Sequence, residues 1–210
     1  MSYDPLSVIA DAGASSQAKV TALAAQASAL QIANLITQFG AAMNAANATT
    51  SMASATDAVT KSINASLATA AGSGETVDLS DAAALKIILQ ASHLTTGSSR
   101  SISTAMLSQL AEITAAGNAL VASADSITKL SQAASVAQGG AVSAITNGVM
   151  VGTFADAVSG FTGAALTALA GAVSLGVIAP GVTALSAIED TVTGITSKMT
   201  AQQIESALAA

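Results

Sequence analysis

The stretch Ser16-Gln-Ala-Lys-Val-Thr-Ala-Leu-Ala-Ala-Gln-Ala-Ser-Ala-Leu-Gln-Ile-Ala-Asn-Leu-Ile-Thr-Gln-Phe-Gly-Ala-Ala-Met-Asn-Ala-Ala46 decides the fold. Val20, Leu23, Ala27, Leu30 and Asn34 fall on one stripe at three- and four-residue steps, and Leu35, Phe39 and Met43 continue beside it. Such spacing follows the repeat of an amphipathic helix and not the alternation of a strand. Lys19 is the one charge in the stretch, and Ala, the residue with the highest helix propensity, is its commonest residue.

Outward from this helix the same period recurs. Val59, Ile63 and Leu67 mark a second helix over 54–71, and Gly72-Ser-Gly-Glu-Thr76 reads as a loop. Ser80 then caps a short helix carrying Leu85, Ile88 and Leu89, which frays at His93-Leu-Thr-Thr-Gly97. From Ser101 or Ser103 a further helix presents Met106, Leu107, Leu110, Ile113, Leu120 and Val121. Asp125 or Ser126 opens the next, with Ile127, Leu130, Ala134, Ala137, Ala141 and Ile145, softened at Gly139-Gly140.

Phe154, Val158, Phe161, Ala165, Leu169 and Val173 form one long stripe ending before Pro180-Gly181. Leu185, Ile188, Val192 and Ile195 mark a penultimate helix, and Thr200-Ala-Gln-Gln203 has the form of a capping box for a last one holding Ile204 and Leu208. The pattern predicts an all-α fold, an Ala-rich bundle of about seven to eight helices. Residues 1–210 read as one domain, with an internal seam at 72–76.

Composition narrows the chemistry. The 210 residues include 52 Ala, 27 Ser and 22 Thr, while Asp, Glu, Lys and Arg together make up 9% and aromatics 2%. There is no Cys and no Trp, with one His and one Tyr, so disulfide frameworks, zinc clusters, thiol catalysis and aromatic stacking platforms lack their parts. Lys19, Lys61, Lys86, Arg100, Lys129 and Lys198 are spread along the chain and outnumbered by twelve acids, which argues against nucleic-acid binding. A hydrophobic share of 51% and a mean hydropathy of +0.62 argue against a disordered chain, and the latter reflects the abundance of Ala. The N-terminal residues lack a cationic region and a continuous apolar run, so they do not read as a cleavable signal.

No nucleophile elbow, phosphate loop, dinucleotide fingerprint, zinc-protease helix or EF-hand occurs, and no catalytic, cofactor-binding or metal-binding residue is assigned. His93, the one imidazole, sits at a helix end where capping or surface exposure accounts for it. Glu75, Asp78 and Asp81 form the densest acidic cluster, but their spacing matches no calcium loop. Asp78 or Ser80 as a cap with Asp81 in the first turn explains them. An acidic enzyme site there would need a deep pocket uniting these acids with His93 or another polar group. Asn47-Ala-Thr and Asn64-Ala-Ser are formal glycosylation sequons of a kind that such a composition produces by chance.

Two further patterns invite a reading. Asp57-Ala-Val-Thr, Asp125-Ser-Ile-Thr and Asp190-Thr-Val-Thr echo one another, most simply because each Asp is an N-cap or first-turn acid. Residues 157–188 carry no charge, and their length alone would permit a membrane span. Missing interfacial Trp or Tyr, distant cations, and dilution by Gly, Ser, Thr and Pro favour a central bundle helix instead.

Asp4-Pro5-Leu6, Gln31-Ile-Ala-Asn-Leu-Ile-Thr37, Val77-Asp-Leu-Ser-Asp81, Ala116-Gly-Asn-Ala-Leu-Val121 and Val136-Ala-Gln-Gly139 occur in this order. Together they resemble an Ala-rich helical segment of very large bacterial secreted or cell-surface adhesin-like proteins, of the type I secreted, repeats-in-toxin-associated kind. The resemblance covers about residues 4 to 150 and lacks the Gly- and Asp-rich calcium repeats, so it carries over no calcium dependence and no catalytic residue. It implies an extracellular or cell-surface location and a non-enzymatic spacer or scaffold. Its partners would be neighbouring domains of a larger polypeptide or weak self-association, without cofactors. The reading from another class is a membrane-active protein that inserts 157–188 into a bilayer.

Overall fold

A computed structural model describes residues 4–46, 51–96, 102–152, 154–176 and 178. Every regular element among them is helical, in agreement with the periodicity. Chain order gives α1 (Pro5–Ala10), α2 (Ser16–Ala46), α3 (Met52–Ser73), α4 (Ala82–Thr95), α5 (Thr104–Ala122) and α6 (Ile127–Ala134). A π-helical stretch, Ser135–Gly140, leads without a break into α7 (Ala141–Val151), followed by α8 (Phe154–Ser159) and α9 (Gly163–Leu175).

The helices assemble around α2 and α5. α2 lies against α1, α3, α5 and α7, while α5 also packs on α4, α8 and α9. Phe39, Leu35 and Met43 from α2 meet Leu85 and Leu89 of α4, Leu110 and Ile113 of α5, and Ile145 of α7 in one apolar cluster. Burial of each such side chain contributes about 1.5–3 kcal/mol. The cluster runs across the 72–76 region, with Val59 and Ile63 on one side and Leu85 and Ile88 on the other.

Small residues set how closely the helices approach. A Cβ built on Gly117 of α5 would stand 3.0 Å from the Cβ of Ala137 in the π-helical stretch, and one on Gly148 of α7 would stand 3.0 Å from the Cα of Phe154. At both positions a neighbouring segment would have to give way by a few tenths of an ångström to admit a methyl group.

Several boundaries differ from the sequence reading. Gly72 and Ser73 are still helical; α3 stops at Gly74, whose φ of 73° suits glycine. Glu75 N–H donates to Ala70 O at 2.8 Å and Gly74 N–H to Ala71 O at 3.4 Å, closing the helix by a Schellman arrangement. The cap of α4 is Asp81 and not Ser80 or Asp78, because the Asp81 carboxylate accepts from both Ala83 N and Ala84 N at 3.1 Å. α4 then continues past His93 to Thr95.

At the two alternatives left open, Ser103 caps α5 and Ser126 caps α6. Gly139 and Gly140 fall inside the π-helical stretch. The stripe from Phe154 to Val173 is not one helix: it breaks between α8 and α9, where Phe161 turns fully into the core and Gly163 takes a φ of 53°. Asp57 and Asp125 are neither caps nor first-turn acids. Each instead pairs with a Lys four residues on, Lys61 at 2.6 Å and Lys129 at 2.9 Å. The helices anticipated around Leu185–Ile195 and Ile204–Leu208, the Asp190 echo and the Asn47 sequon lie outside the described residues.

Candidate functional site

The most distinctive feature of the interior is a line of buried amides. Gln31, Asn34 and Gln38 recur at three- and four-residue steps and so share one face of α2, which is turned toward α5. α5 answers with Thr114 and Asn118, one turn apart. Asn34, Gln38, Thr114 and Asn118 are completely inaccessible to solvent.

Their bonds cross between elements far apart in sequence. Asn34 Nδ2 donates to Asn118 Oδ1 at 2.9 Å, and Asn118 Nδ2 donates to the Leu79 carbonyl at 2.7 Å. Gln31 Nε2 reaches both Ser80 Oγ and the Asn118 carbonyl at 3.1 Å. Lower on α2, Gln38 Nε2 donates to Ala137 O at 2.7 Å, while its Oε1 accepts from the Thr114 hydroxyl at 2.7 Å. That hydroxyl also lies 2.8 Å from Leu110 O. Thus α2, α5, the loop before α4 and the π-helical stretch are tied together by one set of carboxamides. A π-helical stretch disturbs the regular carbonyl ladder between α6 and α7, and Gln38 supplies a donor to a carbonyl within it.

Energetically the ladder is asymmetric. A made hydrogen bond contributes about 1 kcal/mol net, but a buried donor or acceptor left without its partner costs about 1–3 kcal/mol. Carboxamides do not titrate, so what the ladder offers is directional hydrogen bonding. One acceptor of the ladder, Asn34 Oδ1, is buried without a protein partner, as is Gln132 Oε1 on α6.

The acids anticipated as a cluster lie at the rim of a separate, open groove of about 650 Å³ between α3 and α4. Glu75, Asp78 and Asp81 border it at the loop end and Lys61 at the other, but His93 is not part of it. Each carboxylate already serves the backbone or a neighbour: Asp78 Oδ1 accepts from Ser80 N at 2.8 Å, Asp81 caps α4, and Glu75 Oε2 accepts from Ser73 Oγ at 3.3 Å. No group of three or more acidic or imidazole side chains with metal-binding geometry occurs among the described residues.

His93 stands in the last turn of α4 with its Nδ1 buried and unbonded. Asn64 is exposed on α3. The described part of the uncharged 157–188 segment contributes Ala157, Phe161, Leu169, Ala172, Val173 and Ile178 to the core, and its α9 is 13 residues long, short of the roughly 20 of a membrane span.

The amide ladder escaped the sequence reading, although four of the five segments behind the resemblance meet in it: 31–37, 77–81, 116–121 and 136–139. The available signal was Gln31, Asn34 and Gln38 at helical spacing inside an apolar stripe. No family profile, curated protein or solved structure matches this chain.

Proposed function

We propose that the chain is a non-enzymatic structural or interaction module, a spacer or scaffold within a secreted or cell-surface bacterial protein. The observation that carries this reading is the amide ladder. The polar residues most distinctive of the sequence are spent on holding helices in register, and they face one another instead of solvent. A bundle of Ala-rich faces needs such a device, because small side chains interlock weakly and allow helices to slide. A low-charge surface of Ser, Thr and Ala suits a part whose work is to separate or carry neighbouring domains. The extracellular placement rests on the resemblance.

A thermal-shift screen of the folded chain with nucleotides, dinucleotides and divalent metals should leave Tm unchanged, and antibodies to the purified chain should label intact producing cells. A rise of many degrees with one cofactor class, or labelling only after lysis, would overturn the reading.

One observation favours membrane association as a second reading. α2 has 31 residues and a mean hydropathy of 1.3 in its most apolar window, of which 22% is buried, making it long and apolar enough to cross a bilayer by length and composition. The buried amides of its C-terminal half argue that this face belongs to the bundle. Dye release from liposomes, expected to be absent, separates the two readings for both α2 and 157–188.

A further inference from the structure

α6 turns toward the core a side that its sequence does not favour. In a regular helix Ile127, Leu130, Ala134, Ala137, Ala141 and Ile145 share one stripe, and Gln132 points away from it. In the structure Leu130, Ala137, Ala141 and Ile145 are buried as that stripe requires, but Ile127 is 42% exposed and Gln132 only 3%. The Gln132 Oε1 atom is buried there without a protein partner.

The π-helical stretch Ser135–Gly140 produces this mismatch. Ala141 N–H donates to Val136 O, five residues back. A turn closed over five residues takes in one more than a regular turn, so everything N-terminal to it is rotated by about 100°. Gln132 thereby occupies the place that Ala133 would hold in a continuous α-helix, and Ile127 is turned toward solvent. In a regular helix Ala141 N–H would go to Ala137 O, four residues back. That is the carbonyl that Gln38 Nε2 reaches at 2.7 Å. The amide of α2 thus stands in for the missing helical donor.

Gains and costs are divided between two forms. The π form keeps the Gln38 bond but buries an orphaned oxygen and leaves Ile127 in water. The regular form would bury Ile127, release Gln132 to solvent and give up the bond from Gln38. We propose that Ser135–Gly140 is a register switch: it passes between the π-helical form and regular α-helix, turning α6 by about 100° and exchanging Gln132 for Ile127 on the buried face. α6 advances by one residue's rise, about 1.5 Å, which the connection 123–126 follows. The change is felt at α9. Gln132 Nε2 stands 3.8 Å from where a Cβ on Gly176 would lie, at the C-terminal cap of α9, and the regular form sets Ala133 there instead. The amide face of α2 and the seat of α9 are coupled through this element.

Saturation-transfer NMR of the full chain, which detects sparsely populated states, tests it. The amides of 126–140 and the Ile127 methyl groups should report one shared minor state with helical chemical shifts, populated at roughly 0.1–10%. Gln38→Leu should raise its population about fivefold, the effect of one lost hydrogen bond. Gln132→Leu should deplete it by removing the orphaned oxygen from the π form. Deleting Gly139 should make it the sole state, with helical circular dichroism retained and nuclear Overhauser contacts from Ile127 to the core. Any one of three results overturns the proposal: no shared minor state, or one with coil shifts, in both the parent and Gln38→Leu; a minor state enriched by Gln132→Leu; or a folded Gly139-deletion protein with Ile127 still in solvent.

Discussion

Asn34 of α2 and Asn118 of α5 face each other across the centre of the bundle, Nδ2 to Oδ1 at 2.9 Å, with neither residue exposed to solvent. Eighty-four positions separate them in sequence, so this bond exists only when both helices hold their observed register. Sliding either helix by one residue would swing its amide about 100° off the shared face and break the bond.

Replacing Asn118 by Ala should therefore cost more than its volume implies. The Leu79 carbonyl and Asn34 Nδ2 both lose their partner, and at about 1–3 kcal/mol for each orphaned group the loss should reach about 3 kcal/mol in urea denaturation. The double variant Asn34→Leu with Asn118→Leu should lose about 1 kcal/mol less than the sum of its single variants, since removing both amides leaves neither one waiting for the other.

Gln38→Leu tests the support of the π-helical stretch. Ala137 O would lose its donor, whereas the Thr114 hydroxyl retains Leu110 O. Stability should fall by about 1–2 kcal/mol. Hydrogen exchange should quicken locally at the amides of residues 135–140 beyond what the global loss accounts for.

Two glycines should respond in opposite directions to the same change. Gly117→Ala inserts a methyl 3.0 Å from Ala137 Cβ, forcing α5 away from the π-helical stretch at a cost of about 1–3 kcal/mol. Gly72→Ala, within the last turn of α3 and with nothing within 4 Å of the new Cβ, should stabilise by about 0.5 kcal/mol. Urea midpoints moving the same way for both would contradict the packing described.

Acid should act on one ion pair in a defined sense. The hydrogen bond from Lys129, with a smaller contribution from its charge, holds the Asp125 carboxyl below its ordinary value. A folded pKa below the unfolded one means that the pair adds stability at pH above the ordinary carboxylate range. That contribution disappears as pH falls through the lowered folded pKa. NMR titration should place Asp125 below an exposed reference carboxyl, and Lys129→Met should return it to the usual range.

What the sequence determined by itself was local. Helix period and Ala content depend on residues within a turn or two, and they defined the all-α fold and α2 from Ser16 to Ala46. The starts of α5 and α6 were narrowed to two candidate residues each, of which the structure selects Ser103 and Ser126. Competition between neighbours was already harder to read. Ser80 and Asp81 are both good caps, and Asp81 takes the role while the Ser80 hydroxyl accepts from Gln31 of α2. Asp57 and Asp125 resembled helix-start acids, but their partners are lysines one turn on. Only the tertiary structure decided which polar groups are buried together. Gln31, Asn34, Gln38, Thr114 and Asn118 are ordinary helix residues one at a time. They become a ladder because the packing of α2 on α5 removes water from Asn34, Gln38, Thr114 and Asn118 and partly from Gln31, after which each amide must find its partner on another element.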